Sequence, residues 1–127
     1  MQRQDKVMNR PGENRQLNIL LVDGTGQIMD FLEKLKNIDR YFVDQVETTE
    51  DAVSRLKEET YDIIIADGSI PKKRGVKLLK KAQQAQPDAT AVLVTPGLDK
   101  EAQKEAREID ALYCSEYLMI ESVFMGM

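Results

Sequence analysis

Hydrophobic and polar positions alternate in blocks along this chain. Five short runs are mostly apolar: Leu17–Val22, Tyr41–Val46, Tyr61–Ala66, Thr90–Thr95 and Ala111–Ser115. Runs of this length and continuity predict strands, the most apolar of them buried on both faces. Between the runs the apolar spacing changes to three and four. Ile28, Phe31, Leu32 and Leu35 share one helical face, as do Ala52, Val53 and Leu56. Val76 and Leu79 predict a third helix, and Ala102, Ala106 and Ile109 a fourth, polar one over Asp99–Glu108. The punctuation agrees. Gly24-Thr25-Gly26 breaks the chain after the first run, and Thr48 or Thr49 offers a helix cap. Pro71 and Gly75 mark a loop, and Pro87 ends the third helix. The end of the chain, Tyr117–Met127, is apolar and predicts a fifth helix.

Strands that alternate with helices pair in parallel, because each crossover helix returns the chain to the same edge. The expected fold is therefore a (βα)5 chain in three layers, with the flavodoxin-like strand order 2-1-3-4-5. The 127 residues suffice for one domain, expected over 17–127. Residues 1–16 lack apolar periodicity and read as a mobile N-terminal tail.

Composition narrows the chemistry. The chain has no histidine and one cysteine, Cys114. That excludes Ser–His and Cys–His nucleophile systems, His-containing zinc sites and internal disulfides. The formal net charge of -4 argues against nucleic-acid binding by this domain. No apolar run approaches the roughly 18 residues that span a membrane. Met1–Arg10 has no apolar core of a secretory signal, so a cytoplasmic setting is expected.

In open parallel sheets ligands bind beyond the carboxyl ends of the strands, where the strand order reverses. The first strand ends in Asp23, the third in Asp67 and the fourth in Thr95. Taken singly, each is a residue type that caps helices. Taken together on neighbouring strands, they suit a hard cation and a phosphoryl group. The Gly24–Gly26 turn offers a remoter alternative, a phosphoryl or nucleotide enzyme. It lacks the third glycine of a dinucleotide fingerprint, since Met29 stands there.

Over residues 17–127 the chain resembles the receiver domain of two-component response regulators. The likeness lies in ILLVD (19–23), YDIIIAD (61–67) followed by SIP and RG, AVLVT (91–95) and ALY (111–113). The resemblance implies a signalling module and not an enzyme. It implies Asp67 as phospho-acceptor, Thr95 and Tyr113 as switch residues, and a Mg²⁺ site at Asp23, Asp67 and the Ser69 backbone carbonyl. It also implies a histidine kinase or an output domain as partner. The chain departs from the family at three places, one of them Pro96, where the family has a small residue after the switch hydroxyl. Gly24 stands where the family has a second, metal-binding acid, and Glu116-Tyr117 stands where it has lysine and proline. Phosphorylation adds about -1.5 to -2 charge. A unit charge pair at ~4 Å is worth about 4 kcal/mol at an effective dielectric of about 20. Exchanging the family's lysine for a carboxylate therefore works against the phosphorylated state, and the missing acid at Gly24 works against the metal. The expected role is a pseudo-receiver that acts through protein contacts with its phosphoryl switch weakened or lost. The alternative is a receiver phosphorylated on Asp67 by a histidine kinase.

Two surfaces stand out. Lys72, Lys73, Arg74, Lys77, Lys80 and Lys81 form a basic run that suits an acidic partner. The apolar end suits a homodimer through the helix 4–strand 5–helix 5 face implied by the resemblance.

Overall fold

A computed structural model describes residues 16–34, 40–68 and 74–116. Five strands, β1 (Leu17–Val22), β2 (Tyr41–Val46), β3 (Ile63–Asp67), β4 (Thr90–Val94) and β5 (Leu112–Cys114), form one sheet. Their order is β2-β1-β3-β4-β5, and every pairing is parallel. Four helices alternate with them: α1 (Gln27–Leu32), α2 (Thr49–Glu58), α3 (Arg74–Ala85) and α4 (Lys100–Glu108). This is the expected flavodoxin-like order. Residues 1–15 of the expected tail, Leu35, Ser69, Pro71, Lys72, Lys73 and the predicted helix at Tyr117–Met127 lie outside the described residues.

The alternation of side chains divides the sheet's interior into two cores. Leu20, Val22, Ile64, Ala66 and Leu93 face α2, α3 and α4, where they meet Ala52, Leu56, Leu78, Leu79, Ala82, Ala102 and Ala106. Ile19, Leu21, Ile63, Ile65, Val92 and Val94 face the other way, against Ile28 and Leu32 of α1. The central strands are apolar on both faces because helices cover both faces. The small residues Ala102 and Ala106 let the short α4 approach β4 and β5 closely.

Three strands begin or end differently from the sequence expectation, β4 only by stopping at Val94, one residue short of Thr95. β3 starts at Ile63 and not at Tyr61, because the Tyr61 amide donates to Gln86 Oε1 (2.7 Å) instead of to a neighbouring strand. The Gln86 side-chain amide also donates to the Leu56 and Glu59 carbonyls, closing the end of α2. β5 is only three residues long and lies at the sheet edge. Across β2, α2 and the approach to β3, Asp44 joins Arg55 and the Tyr61 hydroxyl. Asp44 is buried, and its hydrogen bond and negative charge push the Arg55 guanidinium above its ordinary pKa.

Candidate functional site

The sheet register builds the site. Val22 pairs with Ala66, so the next residues, Asp23 and Asp67, stand side by side at adjoining strand ends. Asp67 pairs with Val94, which puts Thr95 one step beyond the register. Leu93 pairs with Tyr113 on β5. The topology therefore gathers Asp23, Asp67, Thr95 and Tyr113 at one edge of the sheet. All but Tyr113 are buried, Asp23 at 0 % and Asp67 at 1 % exposure.

Asp23 does not stand open in this edge. Its Oδ1 accepts from the Thr25 amide (3.3 Å), the Thr25 hydroxyl (3.2 Å) and the Gly26 amide (3.1 Å). Its Oδ2 accepts from the Ile28 and Met29 amides at 3.0 and 3.1 Å. Five donors thus converge on one carboxylate. The cause is local. Gly26 adopts φ 82, a left-handed conformation that glycine reaches without a Cβ penalty, and this turns the loop back over Asp23. α1 has no side-chain cap at Gly26 itself. Asp23 supplies that role from one strand end away, holding the first amides of α1 and placing negative charge at the helix start.

The glycines around Asp67 show how tightly the neighbouring turn is packed. A Cβ at Gly75, in the first turn of α3, would sit 3.1 Å from the Asp67 carbonyl oxygen. A Cβ at Gly68 would collide with Thr95 Cγ2 at 2.7 Å. The Thr95 methyl therefore faces Gly68, and its hydroxyl serves another direction. Thr95 Oγ donates to the Gly97 carbonyl (2.6 Å) and is paired with the Tyr113 hydroxyl (2.6 Å). The Tyr113 hydroxyl in turn accepts from the Asp99 amide (2.9 Å). With the single Thr95 proton on Gly97, the Tyr113 hydroxyl must be the donor in the pair. A one-way relay results, from the Asp99 amide through Tyr113 and Thr95 to Gly97. It pins the loop that leads into α4, whose cap is the Asp99 carboxylate on the Ala102 amide. A phosphoryl oxygen, which only accepts, would reach the Thr95 proton only if that proton left Gly97.

These contacts decide the fit of a magnesium ion. Mg²⁺ keeps several waters and is usually held by one or two carboxylates free to bind it. Asp23 has its acceptor capacity filled by the backbone, Gly24 offers no side chain, and Glu116 is exposed. Among the described residues no group of three or more His, Cys, Asp or Glu is placed to hold a metal. Of the two buried strand-end carboxylates, Asp23 would have to exchange hydrogen bonds of its own loop for the ion. Ser69, whose carbonyl belongs to the expected set, lies outside the described residues.

Sequence reasoning missed the Asp99 amide, the Gly97 carbonyl and the Thr25 hydroxyl. Two of the three are backbone groups, which carry no residue signature. Only Thr25, two residues after Asp23, carries a side-chain signal, that of an Asx-type turn. The amides of Thr25 and Gly26 also bear on the remote enzyme reading. A phosphate on this turn would need those donors, and Asp23 already occupies them.

The sequence model of the response regulator receiver domain matches residues 19–114. No curated protein matches the chain. Among solved structures, a two-component response regulator from Clostridium difficile is similar, with 20 % identity over 87 % of this chain and 92 % of that one, at a TM-score of 0.74. The receiver domain of an HD domain-containing protein from Pseudomonas fluorescens Pf-5 shares 22 % identity over 88 % and 94 %, also at 0.74. A response regulator from Burkholderia pseudomallei, solved with a phosphorylated aspartic acid, calcium ion and citrate, shares 21 % identity over 86 % of this chain, again at 0.74. This chain spans 65 % of that protein's length. At these identities the likeness carries the fold alone. Among the described residues no helix is long and apolar enough to cross a membrane.

Proposed function

Because the chain belongs to the response regulator receiver domain family, we propose that it is a signalling module that works through protein–protein contacts, with the phosphoryl switch of the family weakened or lost. The observation that carries this reading is the Asp23 carboxylate, surrounded by five donors of its own loop. A carboxylate so engaged would have to give up several backbone hydrogen bonds before it could bind a cation. Gly24 removes a metal-binding acid of the family, the burial of Asp67 disfavours a further charge beside it, and Glu116 in place of lysine opposes the added charge of a phosphoryl group. The natural partners in this reading are a histidine kinase or an output domain in the cytoplasm. Leu98 and Leu112, the two exposed large hydrophobics among the described residues, flank α4 and favour a contact there, including a homodimer.

A second reading retains phosphorylation on Asp67. It is favoured by the intact strand-end aspartate and by the phosphorylated aspartic acid in the Burkholderia relative. Incubation with acetyl phosphate and Mg²⁺, followed by intact-mass measurement, separates the two. The proposal expects no lasting adduct of about 80 Da, the mass of one phosphoryl group. An adduct that persists in the parent chain and vanishes in Asp67→Asn would overturn it. A Gly24→Asp, Glu116→Lys variant is the positive control. An added Cβ at Gly24 would meet only the Glu47 carbonyl oxygen, at 3.7 Å, an ordinary van der Waals contact.

A further inference from the structure

A groove of about 200 Å³ runs between α2 and α3, lined by Thr49, Glu50, Val53, Arg74, Lys77, Leu78 and Lys81. Its lining includes none of Asp23, Asp67 and Thr95, and its Arg74 end adjoins the strand-end site through Gly75, whose added Cβ would lie 3.1 Å from the Asp67 carbonyl oxygen. Its floor is apolar, from Val53 and Leu78, and its α3 wall is cationic. The wall residues recur at spacings of three and four, so they share one helical face about two turns long.

These cations do nothing evident for the helix that carries them. α3 has four basic residues, Arg74, Lys77, Lys80 and Lys81, and no acidic one. Arg74 stands at the helix start, where the macrodipole disfavours positive charge, and the first turn holds no acid to offset it. Arg74–Lys77, Lys77–Lys80 and Lys77–Lys81 are like-charge neighbours at three or four residues, an arrangement that destabilises a helix. All four are exposed, and among the described residues none forms an ion pair. A domain with a net charge of -4 thus concentrates positive charge on one wall at a cost to its own stability.

We propose that this groove docks an acidic, amphipathic peptide segment of a partner protein, with carboxylates at helical spacing against Arg74, Lys77 and Lys81 and an apolar side chain over Val53. The proposal deepens the protein-contact reading above by naming a surface and the chemistry of its partner. Charge complementarity supplies the recognition. A protein segment fits better than a nucleic acid, because Glu50 lines the groove, no aromatic residue offers a stacking platform, and the overall charge opposes a long polyanion. A lipid surface fits poorly, since the exposed large hydrophobics among the described residues, Leu98 and Leu112, lie outside the groove.

The test is an amide-resolved NMR titration of the full chain with a synthetic helical peptide of Glu, Leu and Ala. Controls are the same peptide with Gln for Glu, and a single-stranded DNA oligonucleotide of equal charge. The proposal expects shifts confined to Thr49–Val53 and Arg74–Lys81, lost with the Gln peptide. It also expects an affinity loss of about tenfold or more in a Lys77→Glu, Lys81→Glu variant. Both substitutions are on the surface, and the amide spectrum reports whether the variant is folded. Equal shifts with the Gln peptide, no shifts in the groove, tighter binding of the oligonucleotide, or a folded variant that binds unchanged would each overturn the proposal. The acetyl phosphate experiment is independent of this one: a phosphoryl adduct would overturn the weakened switch and leave the groove result standing.

Discussion

The loop after β1 and the groove between α2 and α3 treat charge in opposite ways. In the loop, a single carboxylate is fully buried, and five donors from its own segment surround it. In the groove, cations are exposed, crowded and without ion pairs among the described residues. Charge that is buried and satisfied is committed to holding the fold together. Charge that is exposed, unpaired and locally repulsive remains available to something outside the chain. On this contrast the proposed docking surface is the cationic α3 wall and not the strand-end carboxylates themselves.

The most severe test of that contrast is Asp23→Asn. If Asp23 chiefly repelled Asp67, removal of its charge would stabilise the domain. If it chiefly anchors its loop, the substitution turns one acceptor oxygen into a donor facing amides. We expect a loss of about 1–3 kcal/mol, the range for leaving a buried donor unpaired, read by urea denaturation without Mg²⁺. A gain in stability would break the comparison on the loop side.

Tyr113→Phe is the next largest effect. It removes the middle of the relay from the Asp99 amide to Thr95. The expected loss is about 1 kcal/mol, with faster hydrogen exchange at the Asp99 amide and unchanged exchange in β3. Unchanged exchange at Asp99 would mean that the hydroxyl does not hold the loop.

On the groove side the sign reverses. Lys77→Ala relieves like-charge neighbours and exchanges lysine for the best helix former. The expected gain is a few tenths of a kcal/mol, seen as a small rise in Tm that shrinks with added salt. A loss would show that Lys77 has a partner within the chain.

The smallest effect concerns Cys114. Burial raises its thiol pKa above the ordinary value of 9.0. The unfolded thiol therefore ionises first as pH rises, and the unfolded state then holds fewer protons than the folded one. The thiol's contribution to stability is complete below 9.0 and is lost as pH rises through the folded value. Compared with Cys114→Ala, the parent chain should lose more stability over that interval. Parallel curves would contradict the assigned burial.

Much of the fold was legible because the central strands are apolar on both faces and the helices change period cleanly. ILLV and IIIA leave little choice but a covered parallel sheet, and the observed order is the flavodoxin-like one expected of such a sheet. The positions of Asp23, Asp67 and Thr95 were legible for the same reason, since each stands at a strand end. What Asp23 does there was not. An acid after a strand has the same sequence signature whether it faces a cation or a ring of amides, and only the backbone path through Gly26 distinguishes the two. The Asp44–Arg55–Tyr61 cluster was hidden for a different reason: its three members lie on separate segments, with no periodicity to join them.

The account rests on the strand-end pocket being unable to accept a metal together with a phosphoryl-like group. Fluorine NMR of the full chain with Mg²⁺ and beryllofluoride measures this directly. The account predicts only the resonances of free fluoride and fluoroberyllate species, unchanged in Asp67→Asn. A bound resonance in the parent chain that disappears in Asp67→Asn would contradict it.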